Sequence, residues 1–341
     1  MKDFPSLKKR RPKKFTKRAK AKAIATAPLF SLPLKAFLHK HDSDIQLILF
    51  PLILCVILIF LFVINHTIAS TIATFSTTPI PPETLTRHNA YPVVKPVPTP
   101  FVSAQSAIIV DRDSQAVVFS KNPQVRFSMA STTKIMTALT ALDYYSVNDV
   151  LTIKRPQVEG SGLHLVLGEQ FHFLDLLYAM LLPSANDAAA AIADNYPGGN
   201  DAFMRRMNEK AQSLHLANTH FADPTGLEDD GDYTTVVDMA RLASRAESNP
   251  TFVQVTSTKY HLITSLGGQA YELTNLNRLL GTQGVIGIKT GTTEGAGEVL
   301  VTSTVKNGHT FIIVVMLSTD RFTDTTTLLH FIDDNVSYIS L

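Results

Sequence analysis

Ser131 and Lys134 stand three residues apart in Met129-Ala-Ser-Thr-Thr-Lys134-Ile-Met-Thr137, where a stretch that reads as extended chain gives way to helical periodicity. A helix opening at Ser131 sets a hydroxyl and an amine on one face a turn apart, close enough to share a proton. The dipole and the unsatisfied N–H groups of the first turn favour negative charge developing at Ser131, as an acyl-transfer nucleophile requires. Alone, Ser-x-x-Lys reads equally as a capped helix with a solvated lysine. Two more short motifs follow in order, Ser184-x-Asn186 and Lys289-Thr290-Gly291, which by themselves read as a helix cap and as a strand ending in a turn.

The elements that must position these groups are legible from pattern. Residues 106–110 and 116–120 read as two strands around a polar turn, and Ile135, Met136, Leu139 and Leu142 recur at the spacing that buries a helix. Residues 150–153 and 170–173 are short strand candidates. Leu174 to Leu182 is helical in spacing and stops at Pro183, placing Ser184 and Asn186 on a connection between two helices. Further helices are expected over 202–214 and 239–246, with a Pro/Gly loop at 221–227 between them. Residues 285–291, 298–305 and 310–317 are β-branched runs, the last two joined as a hairpin through Lys306-Asn-Gly-His309, and 322–339 reads as a closing helix. Strands at both ends and helices between predict an α/β (α+β) domain: one antiparallel sheet from both ends of the domain, flanked by helices, with an inserted all-helical subdomain.

The net charge of +2 conceals a strong asymmetry: residues 1–44 carry thirteen Lys and Arg against three acids, so the rest is near −8. An acidic body argues against nucleic acid as a partner. Residues 45–64 carry no charge and are long enough at ~1.5 Å per residue to cross ~30 Å of hydrocarbon. The expected organisation is a basic cytoplasmic tail (1–44), a transmembrane helix (45–65) in the lipid bilayer, a Pro/Thr-rich tether (66–100) and a catalytic domain (101–341) outside the cell membrane, oriented by the positive-inside rule. The length of the leading segment and the lack of a small-x-small site argue against a cleaved signal. The single cysteine, Cys55, excludes an intrachain disulfide, and no His or acidic spacing points to a metal; Glu228-Asp-Asp-Gly-Asp232 lacks the closing ligand of a calcium loop. No cofactor is expected.

The ordered triplet, with Leu176-Leu-Tyr-Ala-Met-Leu-Leu-Pro-Ser-Ala-Asn-Asp-Ala188, Gly287-Ile-Lys-Thr-Gly-Thr-Thr-Glu-Gly-Ala-Gly297 and Asp238-Met-Ala-Arg-Leu242, resembles the serine-type D-Ala-D-Ala carboxypeptidases, low-molecular-mass penicillin-binding proteins of the β-lactamase/DD-peptidase fold. The resemblance runs from about residue 101 to the end. It implies that Ser131 attacks the carbonyl between the terminal D-alanines of a peptidoglycan stem peptide and that Lys134 is the base. It implies that Ser184 relays the proton to the leaving amine and that Asn186 holds the peptide. Ser131 and Thr292 N–H groups would form the oxyanion hole, and Lys289, Thr290 and Thr292 would bind the terminal carboxylate. Gly291 would leave the strand edge open to substrate. β-Lactams would be trapped as acyl-enzymes. A basic Lys134 needs a depression of about three pKa units, roughly 4 kcal/mol, expected from burial and from Lys289 lying across the cleft beside Ser184.

Three positions depart from the family pattern: Asp223 where Asn is usual, Asp232 where His is usual, and Glu298 where a smaller residue is common. Three rivals remain. A D,D-endopeptidase would use the same residues. A class A β-lactamase wants Glu-x-x-Leu-Asn, which Glu272-Leu-Thr-Asn-Leu-Asn277 fails to supply in spacing or place. A non-catalytic wall-binding module would not need all three motifs.

Overall fold

The computed structural model describes residues 54–63, 90–155, 159–228 and 230–339. Of the expected membrane span, residues 54–63 are helical with exposed apolar side chains, and the remainder lies outside the described residues, as does the basic tail. Among the described residues, no helix is long and apolar enough to cross a membrane.

The catalytic domain is built on a five-stranded antiparallel sheet in the order β3-β2-β10-β9-β8: β3 is Val117–Lys121, β2 Ser106–Asp111, β10 His309–Ser318, β9 Gly297–Lys306 and β8 Val285–Thr293. Both ends of the domain supply strands, as expected. The period of two along β2 divides the core. Ile108 and Val110 face a large cluster of helices, whereas Ala107 and Ile109 face α7 (Arg321–Asn335) through Leu328, Leu329 and Ile332. The β9–β10 turn places Asn307 and Gly308 at positive φ, the geometry for which Asn-Gly is suited.

The inserted segment carries α1 (Lys134–Leu142), α2 (Phe173–Leu181), α3 (Asn186–Asn195), α4 (Gly199–Ser213), α5 (Val236–Ala246) and α6 (Pro250–Thr256). It is not wholly helical. The expected strands at 150–153 and 170–173 form a hairpin, β4 (Val150–Thr152) with β5 (Gln170–His172), and a second hairpin, β6 (Tyr260–Thr264) with β7 (Ala270–Thr274), was not foreseen. Its pattern is hard to read because only Ile263 and Leu273 are buried, while Tyr260 and Leu262 face outward.

Two boundaries shift. The closing helix ends at Asn335, and β11 (Val336–Ile339) pairs with β1 (Tyr91–Val94) inside the stretch read as tether. β-Branched and aromatic residues at 336–339 favour extended chain once a partner strand is present. The tether over 66–100 therefore stops before Tyr91, and residues 64–89 lie outside the described residues. The β1–β11 ribbon is fixed to the sheet by Tyr338, whose hydroxyl donates to buried Asp111 and whose ring stacks on His309 at 3.4 Å between centroids. Tyr338→Phe removes a hydrogen bond to a buried carboxylate while keeping the ring. It is expected to lower unfolding free energy by about 1–2 kcal/mol in a denaturant titration.

Candidate active site

Ser131 does not open an α-helix. It lies in a 3-10 turn, Ala130–Thr133, that feeds α1 at Lys134. The turn enters through Ala130 at φ +46, a left-handed conformation that non-glycine residues rarely adopt. Ser131 and Lys134 still meet: Lys134 Nζ and Ser131 Oγ are 2.8 Å apart.

Lys134 is 0% exposed and has two further partners, Asn186 Oδ1 at 2.6 Å and the Thr225 carbonyl at 2.7 Å. The Asn186 amide is oriented by its own Nδ2, which donates to Glu159 O at 2.7 Å, so the oxygen faces the lysine. Both of these partners can only accept. A neutral amine has two N–H bonds and one lone pair; the two carbonyl-type oxygens take the protons, and the lone pair is left for the Ser131 hydroxyl. Burial lowers Lys134 to about 7, against the attraction of Asp223, Asp232 and Asp187, which acts upward. Burial is the first cause, as expected; the repulsion between Lys134 and Lys289, which acts on both amines, is expressed at Lys289, the more strongly lowered of the two.

The Ser184-Ala-Asn186 segment connects α2 to α3, with Asn186 the first residue of α3 rather than part of the connection. Asn186 N donates to Ser161 O at 2.7 Å, tying the motif to the 159–162 loop. Ser184 takes φ +67 and is 4% exposed, and its Oγ has no hydrogen-bond partner among the described residues. Ser184 Oγ and Lys289 Nζ share no hydrogen bond; Lys289 Nζ donates to Thr290 O at 3.0 Å.

β8 carries Lys289, Thr290, Gly291 and Thr292 along the outer edge of the sheet, past the Ser131 turn. A Cβ on Gly291 would stand 3.1 Å from Ser131 N and Ala130 Cβ and 3.2 Å from Thr132 N, so at this close approach of two backbones any side chain would have to push its neighbours back by a few tenths of an ångström. Lys289 is 1% exposed and lowered well below the usual lysine value, first by burial and then by Lys134 and Arg321. The charges it feels are positive, so this corner is built for an incoming anion.

Arg321 was not anticipated. Its Nη1 donates to Gly291 O at 2.7 Å, its backbone N–H donates to Glu298 Oε2 at 2.9 Å, and its Nε is buried without a partner among the described residues. One sequence signal was present: a cation in the first turn of a helix opposes the helix dipole, so Arg321 calls for another role.

Ser131, half-buried, thus forms one hydrogen-bonded group with buried Lys134 and Asn186, closed on one side by the strand of Lys289. Residues 93–320 match the family model described as D-alanyl-D-alanine carboxypeptidase, peptidase S11. The chain belongs to this family. Among the curated members of the D-alanyl-D-alanine carboxypeptidase family, it is 32% identical over 221 residues to the carboxypeptidase DacF of Bacillus subtilis, covering 62% of this chain but only 57% of that protein. It is 33% identical over 232 residues to the D-alanyl-D-alanine endopeptidase of Escherichia coli, covering 66% of this chain and 74% of that one. The crystal structure of the Streptomyces K15 DD-transpeptidase superposes with a TM-score of 0.66 at 31% identity, covering 69% of this chain and 98% of that one. This likeness agrees with the sheet and the helical insertion described above.

Gly291→Ala is expected to push β8 away from Ser131. Acylation of Ser131 should then fall by at least about tenfold with little change in melting temperature, measured as kcat/KM beside a thermal scan.

Proposed function

We propose that this chain is a membrane-anchored serine D-Ala-D-Ala carboxypeptidase that removes the terminal D-alanine of peptidoglycan stem peptides through an acyl-enzyme on Ser131. The observation that carries the reading is the Lys134 amine: its two protons have carbonyl-type acceptors and its lone pair faces the Ser131 hydroxyl. Ser131 Oγ gives its proton to that lone pair and bonds to the penultimate carbonyl carbon. The Ser131 and Thr292 N–H groups receive the oxyanion, a contribution of about 3 kcal/mol per donor in comparable sites. The proton passes from Lys134 through Ser184, whose hydroxyl has no partner among the described residues, to the departing D-alanine nitrogen. Water then adds to the acyl carbon with Lys134 again as base and frees Ser131.

The terminal carboxylate of the substrate fits the corner of Lys289, Thr290, Thr292 and Arg321. A carboxylate arriving there meets a lysine that burial has made reluctant to carry charge, and its own charge favours protonation of that lysine. Substrate binding would complete the site electrostatically. A penicillin presents an amide and a carboxylate in the same relation, so β-lactams should acylate Ser131.

The apolar run 45–64 would hold the enzyme in the cell membrane, with the basic tail at the cytoplasmic face and the domain outside. The endopeptidase reading uses the same chemistry on a cross-linked peptide, and relatives of both names exist.

Full-length protein should be labelled at Ser131 by fluorescent penicillin, and Ser131→Ala should not. An unlabelled wild type would leave a wall-binding module. The labelling rate should climb about tenfold per pH unit as pH rises towards 7, below which Lys134 is protonated, and stop climbing between pH 7 and about 8. Mass spectrometry of treated muropeptides separates loss of one D-alanine, the expected result, from cleavage of cross-links. Nitrocefin should be turned over slowly, because no glutamate is placed as in class A β-lactamases: Glu272 lies exposed on β7. Rapid turnover would sink the expectation of slow deacylation.

A further inference from the structure

The turn that offers Thr225 O to Lys134 is held by two acids, at two of the positions that depart from the family pattern. Asp223 uses both oxygens on the turn. Oδ1 accepts from Thr225 N at 2.6 Å, from Thr225 Oγ1 and from Gly226 N at 2.9 Å; Oδ2 accepts from Leu227 N at 3.0 Å and Glu228 N at 2.9 Å. The turn in turn braces the nucleophile. A Cβ on Gly226 would fall 1.9 Å from Ala130 O, and Pro224 O accepts from Thr137 of α1 at 2.7 Å.

Asp232 lies behind this turn, 0% exposed, with Oδ1 accepting from Ala222 N at 2.7 Å. Its Oδ2 is buried with no donor among the described residues, and Asp232 N donates to Glu228 O at 2.8 Å, so the carboxyl stands against the same turn that Asp223 holds and feels the Asp223 charge. Two bare carboxylates cannot occupy such a site. One proton between them supplies the missing donor and removes the repulsion.

We propose that Asp223 and Asp232 share one proton, and that this acid–carboxylate pair is a positioning device that holds the Thr225 carbonyl against Lys134 while keeping the negative charge behind the amine to a single unit. The proposal rests on Lys134 acting as the base. The proton has two effects. It lets Asp223 keep its grip on residues 225–228, and it prevents a second carboxylate from stabilising the ammonium form of Lys134.

Burial, reinforced by the Asp223 charge, pushes Asp232 up to about 8. Burial also acts upward on Asp223, but the Thr225 hydroxyl and the donors of the turn hold that carboxyl below its usual range. The other charges that bear on the amine are Asp187 at the start of α3 and Lys289 on β8. Asp187 is occupied by Leu163 N, Leu165 N and Ala188 N. Above about pH 8 the shared proton is lost, the pair repels, and Lys134 is drawn back towards its charged form.

The test is the rate of acylation of the full-length protein by fluorescent penicillin across pH, for wild type, Asp232→Asn and Asp232→Ala. Wild type should lose about tenfold in rate per pH unit on the alkaline side. Asp232→Asn offers a donor that cannot ionise; it should stay within about threefold of wild type at pH 7 and lose the alkaline fall. Asp232→Ala offers no donor and should be slower by about tenfold at every pH. Independently of activity, infrared difference spectra of wild type against Asp232→Asn should contain a protonated carboxylic-acid carbonyl band that disappears with the same alkaline midpoint. If Asp232→Ala does not fold, Asp232→Asn and the infrared band decide. An unchanged alkaline fall in Asp232→Asn, or no such band, overturns the proposal alone. A wild type that is not acylated at any pH overturns the base reading of Lys134 and the proposal with it.

Discussion

A lysine amine sealed from water beside a serine is the constraint on which the rest of the domain depends. Holding an ammonium ion without solvent costs several kcal/mol unless charge is supplied nearby. The protein surrounds Lys134 with carbonyl-type oxygens in direct contact and leaves the carboxylates behind them, at Asp187 and the Asp223–Asp232 pair. Carbonyl dipoles accept the protons of a neutral amine without demanding that it be charged. A carboxylate in direct contact would lock the lysine as an ion and remove its basicity. The arrangement therefore keeps the amine buried, hydrogen-bonded and able to take up a proton near pH 7.

The sheet contributes through geometry rather than charge. β8 is the edge strand, and only an edge strand can run alongside the Ser131 turn on one side while its other side is paired, here to β9. The approach is set by Gly291 on the strand and matched on the helical side by Gly226, which presses on Ala130. The turn holding Ser131 is thus gripped from two directions by backbone, with no side chain able to yield. This accounts for the left-handed Ala130 within an otherwise regular entry to α1: the local strain is offset by contacts on both sides.

Much of this was legible in the chain. The three motifs depend on residue types at short spacing, and local pattern placed β2, β3, α1, α2 and the β9–β10 hairpin close to where they are. What escaped depended on distant partners. The pairing of Tyr91–Val94 with Val336–Ile339 joins a proline-rich stretch to the end of a helical pattern, and neither segment announces a strand by itself. Burial was expected to share the depression of Lys134 with Lys289, but sequence spacing reveals motifs and not depth, and depth proved to be the larger effect. Arg321 arrives from the far side of two strands, and only the register of β8 with β9 brings Glu298 opposite Thr292, where it can take the Arg321 N–H.

Asp223 and Asp232 show how a departure from a family pattern acquires meaning only in three dimensions. Read singly, each looks like a change of specificity at a loop. Folded, both hold residues 222–228, where two full charges would be two anions at a turn that buries Asp232 completely. An asparagine and a histidine can meet as donor and acceptor without any shared proton. Two aspartates can meet only by keeping one. The pair in this chain is thereby one that titrates, and it stands behind the amine whose protonation decides whether Ser131 can react.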